Sequence, residues 1–180
     1  MIRPGMSVRH AVAADVDAIV SLERATQDAP HWSPSAYVAI LQSVRADSDA
    51  AMPRRCLFVA VMDESIVGFA AGLVHPLHGD AASIGEGRIS ELESAAVAAS
   101  ARRSGLGRAL CAAVLEWCKS QGATEVMLEV RASSTSAIGL YSGLGFEQLG
   151  RRPHYYQDPE DDAVVMRLPL SLSGHLTAKR

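Results

Sequence analysis

The chain has 180 residues, 48% of them hydrophobic and 21% charged, with a formal net charge of −3. That composition suits one compact soluble domain with a sizeable core, and the acidic balance excludes the basic footprint that nucleic-acid binding requires. The cysteines Cys56, Cys111 and Cys118 form no CxxC pair, and no apolar run is long enough for a signal peptide or a membrane span, so a cytoplasmic protein without disulfides is expected.

In chain order, Met6–Ala13 is predicted as a first strand, after which Asp15 caps a helix with Val16, Ile19, Val20 and Leu22 on its apolar stripe. A second helix begins at Ser33, with Pro34 at the first helical position and Tyr37, Ile40, Leu41 and Val44 following. Beyond a polar break at 45–55, Cys56–Met62 and Ile66–Val74 read as a hairpin joined by Asp63-Glu64-Ser65. Residues 75–88 form a loop rich in glycine and histidine, and Ile89–Val97 is another strand. Gly105–Gln121 has the helical period, with Leu106, Leu110, Ala113, Val114 and Trp117 on one face. Cys111 and Cys118 lie two turns apart on that helix and share a face as small hydrophobes.

Glu125–Val130 follows as a buried strand and Ser134–Leu144 as a short helix. Phe146–Leu149 and Ala163–Leu168 then close the sheet around a polar, aromatic segment. The order β-α-α-β-β-β-α-β-α-β-β, with a strand–helix–strand unit over 89–130, calls for one parallel pair among hairpins. The fold class is therefore α/β, a mixed central sheet flanked by helices. One domain is expected over 6–170, with a polar tail at 171–180.

Chemistry concentrates after residue 90. Arg102-Arg103-Ser104-Gly105-Leu106-Gly107-Arg108 follows a strand and opens a helix. Two glycines let the backbone approach a ligand, and the free N–H groups and positive dipole end of the helix make an anion cradle suited to a diphosphate. The run lacks GxxxxGK[ST] and GxGxxG, which sets aside a nucleotide P-loop and a dinucleotide fold.

Downstream, Glu129-Val130-Arg131-Ala132-Ser133 ends a strand, and Ala137-Ile138-Gly139-Leu140-Tyr141 leads on a helix into Gly143-Leu144-Gly145-Phe146. Together with the Arg/Gly loop, these residues resemble the GCN5-related N-acetyltransferase (GNAT) superfamily, and its ribosomal-protein-alanine N-acetyltransferase branch in particular. Leu128–Ser133, Ala137–Phe146, Arg151 to Tyr156 and Asp162–Met166 stand in the same order as that branch's motifs, and Trp32-Ser33 resembles the pair that opens its second helix. The likeness runs over about residues 6 to 170.

The resemblance implies a GNAT fold and acetyl-CoA as co-substrate, with no metal. It implies that main-chain groups of Ala95, Ala96 and Val97 hold the pantetheine arm. Arg102, Arg103, Ser104, Gly105, Leu106, Gly107 and Arg108 would then surround the pyrophosphate. It further implies Glu129 as general base, Tyr141 as general acid, and Trp32, Tyr155 and Tyr156 at the acceptor. The chemistry agrees with these roles: an ammonium must lose a proton before it attacks a thioester, and a phenol near the sulfur can protonate the leaving thiolate.

Three departures from the family pattern stand out. Ser134 replaces an asparagine that contacts the cofactor arm in many members. Pro153-His154 makes the Arg-Arg…Tyr-Tyr segment one residue longer, which would shift both tyrosines. Glu93 occupies the place where many other members carry their catalytic glutamate, and stands as the alternative base. His75 and His78 with Asp80 are a polar loop rather than a metal site, and Glu160-Asp161-Asp162 reads as a solvated turn. The acceptor is a protein N-terminus or a small amine such as a polyamine, amino acid or aminoglycoside, with no nucleic-acid or membrane partner. An acyl-CoA-binding regulatory domain without turnover is the non-enzymatic alternative, and the sequence leaves the oligomeric state open.

Overall fold

The computed structural model describes residues 5–26, 31–43, 52–76 and 88–170. The elements follow the expected order: β1 (Met6–His10), α1 (Val16–Arg24), α2 (Pro34–Ser43), β2 (Arg54–Met62), β3 (Ser65–Val74), β4 (Arg88–Val97), α3 (Leu106–Ser120), β5 (Ala123–Arg131), α4 (Thr135–Gly143), β6 (Glu147–Gln157) and β7 (Glu160–Pro169). The strands form one mixed sheet in the order β1-β2-β3-β4-β5-β7-β6. Among the described residues only β4 and β5 pair in parallel, and α3 makes the crossover between them.

Each face of the sheet has its own core. On one side Leu106, Leu110, Cys111, Val114 and Cys118 of α3 pack against Phe58, Ala70, Leu92, Val126 and Leu128. On the other, Ile19 and Val20 of α1 and Tyr37 and Ile40 of α2 cover Leu57, Val59 and Phe69. Each fully buried leucine or phenylalanine contributes about 1.5–3 kcal/mol. The fit of α3 depends on Gly72, where an added Cβ would lie 2.5 Å from Val114 Cγ1 and 3.1 Å from Cys56 Sγ.

Four expectations change in detail. Asp15 stands at the helix entry but does not cap it through its side chain: the carboxylate turns back to accept the Val12 N–H at 2.8 Å and pairs with Arg9 at 2.6 Å. The α3 stripe carries both cysteines fully buried, while Ala113 and Trp117 are only partly covered. The β2–β3 turn is Asp63-Glu64 alone, both at positive φ (48° and 66°), with Ser65 already paired to Met62; that is the backbone twist two-residue hairpins favour. The polar, aromatic segment after Leu149, expected between the closing strands, is itself the main part of β6. Val44, His78, Asp80 and the tail lie outside the described residues.

The feature that positions the site is a fork in the sheet. β4 and β5 pair only from Arg88/Ala123 to Glu91/Met127. Farther on, β4 stays on β3 as far as Val97 and β5 stays on β7 as far as Arg131. Ala71 pairs with Ser94 and Gly72 with Leu92, which makes Glu93 the extra residue of a bulge at the start of the split. A bulge bends its strand and adds twist, turning β4 away from β5.

Candidate active site at the sheet fork

Val97 ends β4 at the mouth of the fork, and the Arg/Gly loop begins there. Arg103 and Gly105 both adopt positive φ (59° and 89°), and α3 starts at the next residue, Leu106. These two left-handed residues reverse the chain so that the first turn of α3, whose N–H groups have no intrahelical acceptors, faces outward. An added Cβ on Gly105 would meet nothing within 4 Å, so the loop leaves open space for a ligand.

The side chains of this loop divide into two groups. Leu106 is fully buried, so only its main chain can serve a ligand. Arg108 donates to the Gly143 carbonyl at 2.9 Å and ties α3 to the C-terminal end of α4. Ser104 Oγ donates to the Ala101 carbonyl at 2.6 Å, and Arg102 Nε to the Val97 carbonyl at 3.3 Å, which braces the turn against β4. Arg102 and Arg103 are exposed. Ser134 sits at the N-cap of α4, with its N–H bonded to the Arg131 carbonyl at 3.0 Å.

Strand alternation puts the carboxylates on the face covered by α1 and α2. Val126, Leu128 and Val130 belong to the α3 core, so Glu129 points the other way. Its Oε1 accepts from Arg152 Nη1 at 2.8 Å. The Tyr155 hydroxyl lies toward the same carboxylate, whose influence is the main reason the phenol is held above its ordinary pKa. A carboxylate has about four lone-pair positions, so the Arg152 contact leaves Glu129 acceptor sites for a further hydrogen bond. Glu93 is held differently: Arg55 Nε and Nη2 each donate to one of its oxygens at 3.1 Å. Glu91, farther down β4, accepts from His75 at 2.6 Å.

Tyr141 lies on α4 with its ring edge-on to Phe146 at 5.9 Å. Burial, reinforced by Cys111 and Tyr156, raises its pKa, so the hydroxyl keeps its proton through the neutral range. Tyr155 and Tyr156 meet edge-to-face at 5.1 Å. The longer Arg-Arg…Tyr-Tyr segment is absorbed by a bulge: Arg152 pairs with Ala163 and Tyr156 with Asp161, so Pro153, His154 and Tyr155 together oppose Asp162. Tyr156 lies under the Arg131 guanidinium, 4.2 Å from ring centroid to Cζ, and Tyr155 turns toward Glu129. Trp32 packs on Tyr37 at 5.6 Å and borders a cavity above Glu93, on the β4 side of the fork.

The fork thus opens beside the start of α3, with Glu129 on its β5 arm and Tyr141 on the helix that follows β5. The Acetyltransferase (GNAT) family model matches residues 19–146. The chain belongs to that family. The [Ribosomal protein bS18]-alanine N-acetyltransferase of Escherichia coli (strain K12) is 42% identical over 73 residues, which are 39% of this chain. This chain spans only 49% of that relative's length. An N-alpha-acetyltransferase of Sulfurisphaera tokodaii is 32% identical over 170 residues, 91% of this chain and 92% of the relative. Among solved structures, the ribosomal-protein-S18-alanine N-acetyltransferase from E. coli superposes with a TM-score of 0.69 at 25% identity, covering 95% of this chain and 97% of the other. The NatC complex bound to Gag peptide and CoA shares the fold, with a TM-score of 0.75 at 21% identity and coverage of 92% and 99%.

Within this GNAT acetyltransferase, several site residues carry no local sequence signal of their role. Arg131 is buried and donates to the Pro159 and Asp158 carbonyls at 2.8 and 3.0 Å, fixing the β6–β7 turn. The acidic run is braced rather than simply solvated. Asp161 accepts from the Ser133 N–H and Oγ at 3.1 and 2.6 Å, Asp162 accepts the His154 N–H at 3.1 Å, and Glu160 contacts His154. Arg55 and Glu93 are 38 residues apart, so their pairing is legible only in three dimensions. Among the described residues, no group of three or more His, Cys, Asp or Glu side chains is placed to hold a metal ion, and no helix is long and apolar enough to cross a membrane.

Proposed function

We propose that this GNAT acetyltransferase moves the acetyl group of acetyl-CoA onto the α-amino group of a protein N-terminus, in a ternary complex and by direct attack. The observation that carries the reading is Glu129 on the β5 arm of the fork, paired with Arg152 and facing Tyr155. The names of two relatives, one acting on a ribosomal-protein alanine and one an N-alpha-acetyltransferase, support the choice of acceptor.

In this mechanism, fork-facing main chain at Ala95–Val97 aligns the pantetheine arm, and the loop from Arg102 to Arg108 holds the pyrophosphate. Glu129 takes a proton from the acceptor ammonium, directly or through one water. The freed nitrogen attacks the thioester carbonyl, and collapse of the tetrahedral centre breaks the C–S bond while the second proton on nitrogen leaves to solvent, which returns one to Tyr141 once it has protonated the sulfur. Tyr141, protonated because it is buried, hydrogen-bonds to the departing sulfur and supplies its proton. Tyr155 and Tyr156 flank the acceptor on the β6 side. Burial pushes the thiol pKa of Cys111 up to about 12 and that of Cys118 to about 11, and Cys56 is buried as well. A covalent acyl-cysteine route therefore lacks an exposed thiolate.

The test is thiol release from acetyl-CoA with a panel of N-terminal peptides, a peptide beginning Ala-Arg first, alongside polyamines, amino acids and aminoglycosides. Turnover of peptides blocked by prior N-terminal formylation, or turnover of small amines alone, would overturn the N-terminal reading. Heat stabilisation by acetyl-CoA without thiol release for any amine would overturn catalysis itself.

A further inference from the structure

We infer that the cavity beneath α2 is a side-chain pocket for the acceptor, selective for a neutral apolar or aromatic group, and that the Arg55–Glu93 pair sets that selectivity. The inference rests on the amine-acetylation reading above and names the part of the acceptor that the reacting nitrogen does not use.

The cavity holds about 330 Å³, near the lower bound of ligand pockets, which suits one side chain rather than a whole ligand. Its walls are Trp32, Ala39 and Ile40 from the α2 side and Pro53 ahead of β2, and its polar members include Arg55 and Glu93. Glu93 is the bulged residue where β4 leaves β5, so this side chain stands between the cavity and the fork. An acceptor with its amine at the fork therefore has this cavity beside it.

Charge decides what the cavity accepts. Arg55 donates to both Glu93 oxygens, and Glu93 is only 12% exposed, so the pair presents a neutral floor to an occupant. The two-point grip of Arg55 also fixes where the Glu93 carboxylate stands. Glu93 is thus a positioning residue, and the base remains Glu129. A second cation entering the cavity would face Arg55, and an anion would face Glu93. An apolar group meets the indole, the isoleucine and the proline with neither penalty.

The experiment compares kcat/KM for acceptors that differ only in one group near the amine. Glycine, phenylalanine and lysine are scanned through the first three positions of a peptide, and amines bearing matching side groups run in parallel. The wild type should prefer phenylalanine over lysine at one position by about tenfold, which is about 1.4 kcal/mol. Arg55→Leu leaves the Glu93 carboxylate unpaired and should move the Phe:Lys ratio toward lysine by about tenfold or more. The double variant Arg55→Leu with Glu93→Gln restores a neutral floor and should restore the phenylalanine preference. Ala39→Trp, on the outer part of α2, should raise KM for the phenylalanine acceptor toward that for glycine. A general folding defect lowers all three acceptors together and leaves the ratios alone. Ratios unchanged in Arg55→Leu and Ala39→Trp, with turnover retained, would overturn the pocket. The absence of turnover with every acceptor would overturn the transfer reading, and the pocket with it.

Discussion

Replacing Glu129 by Gln keeps the side chain's shape and an oxygen for Arg152 to donate to, and removes the proton acceptor. The structural cost follows from exposure: the Arg152 side chain is 58% exposed and that of Glu129 27%. Ion pairs that open to solvent are worth about 0.2–1 kcal/mol. A loss of that size lowers the melting temperature of a domain this large by no more than about 4 °C. The kinetic cost is of another order. General-base catalysis contributes about 10²–10⁴-fold, or about 2.7–5.4 kcal/mol of barrier. Thiol release at saturating acetyl-CoA and acceptor should therefore fall at least about a hundredfold in kcat, with the melting curve nearly unmoved. Glu93→Gln serves as the comparison, because its effect should appear in acceptor preference rather than in kcat. Full turnover by Glu129→Gln together with loss of turnover by Glu93→Gln would refute the reasoning and reassign the base.

Tyr141→Phe preserves the edge-on contact with Phe146 at 5.9 Å and should lower kcat by about a hundredfold without unfolding the protein, as checked by circular dichroism and thiol release. Because burial raises the Tyr141 pKa, ionisation of this phenol should not shape the pH–rate profile below about pH 10, and a wild-type decline starting near pH 8 that Tyr141→Phe abolishes would contradict the assignment. Gly105→Ala places a Cβ at φ 89°, a conformation that costs about 1–2 kcal/mol. With open space around that Cβ, the strain should appear as a severalfold higher KM for acetyl-CoA and a smaller thermal shift on adding it. Asp15→Asn tests the Arg9 pair. The hydrogen bond from Arg9 holds the Asp15 pKa below its ordinary value, so the pair's stabilisation is fully present above about pH 4 and fades as pH falls through the lower folded value. Urea melts should show the variant less stable by about 1 kcal/mol at pH 7, with the gap narrowing as the pH falls below about 4.

Element order and the turn that opens α3 were legible because both depend on local sequence. Apolar period marked α3, and Gly105 with Arg103 marked the turn before it. Other features depend on partners distant in the chain. Gly150–Gln157 read only as a polar, aromatic segment between strands, because Arg151, Arg152, Pro153 and His154 show no apolar alternation. They form a strand because β7 supplies the hydrogen-bonding edge and a three-against-one bulge accommodates the proline. Asp15 looked like a helix cap because the sequence cannot show that Arg9 and the Val12 N–H compete for the carboxylate. The family resemblance implies Glu129 as the base, with Glu93 as its alternative, but it cannot show their partners: Arg55 grips both Glu93 oxygens from β2, and Arg152 touches a single Glu129 oxygen from the sheet edge.

The fork also has a mechanical meaning. Near Glu91 and Met127 the seven strands are one continuous sheet, but toward Val97 and Arg131 they are two smaller sheets, β1 to β4 and β5 with β7 and β6, hinged where the parallel pairing stops. Main-chain groups on the open edge of β4 bond neither to β5 nor within β4 itself. Those N–H groups should exchange rapidly with deuterated solvent while the β3-bonded edge of the same strand stays protected. A ligand bearing amides of its own would act there as a splint, joining the two halves without adding a strand, and slowed exchange confined to alternate residues of Leu92–Val97 would be its signature.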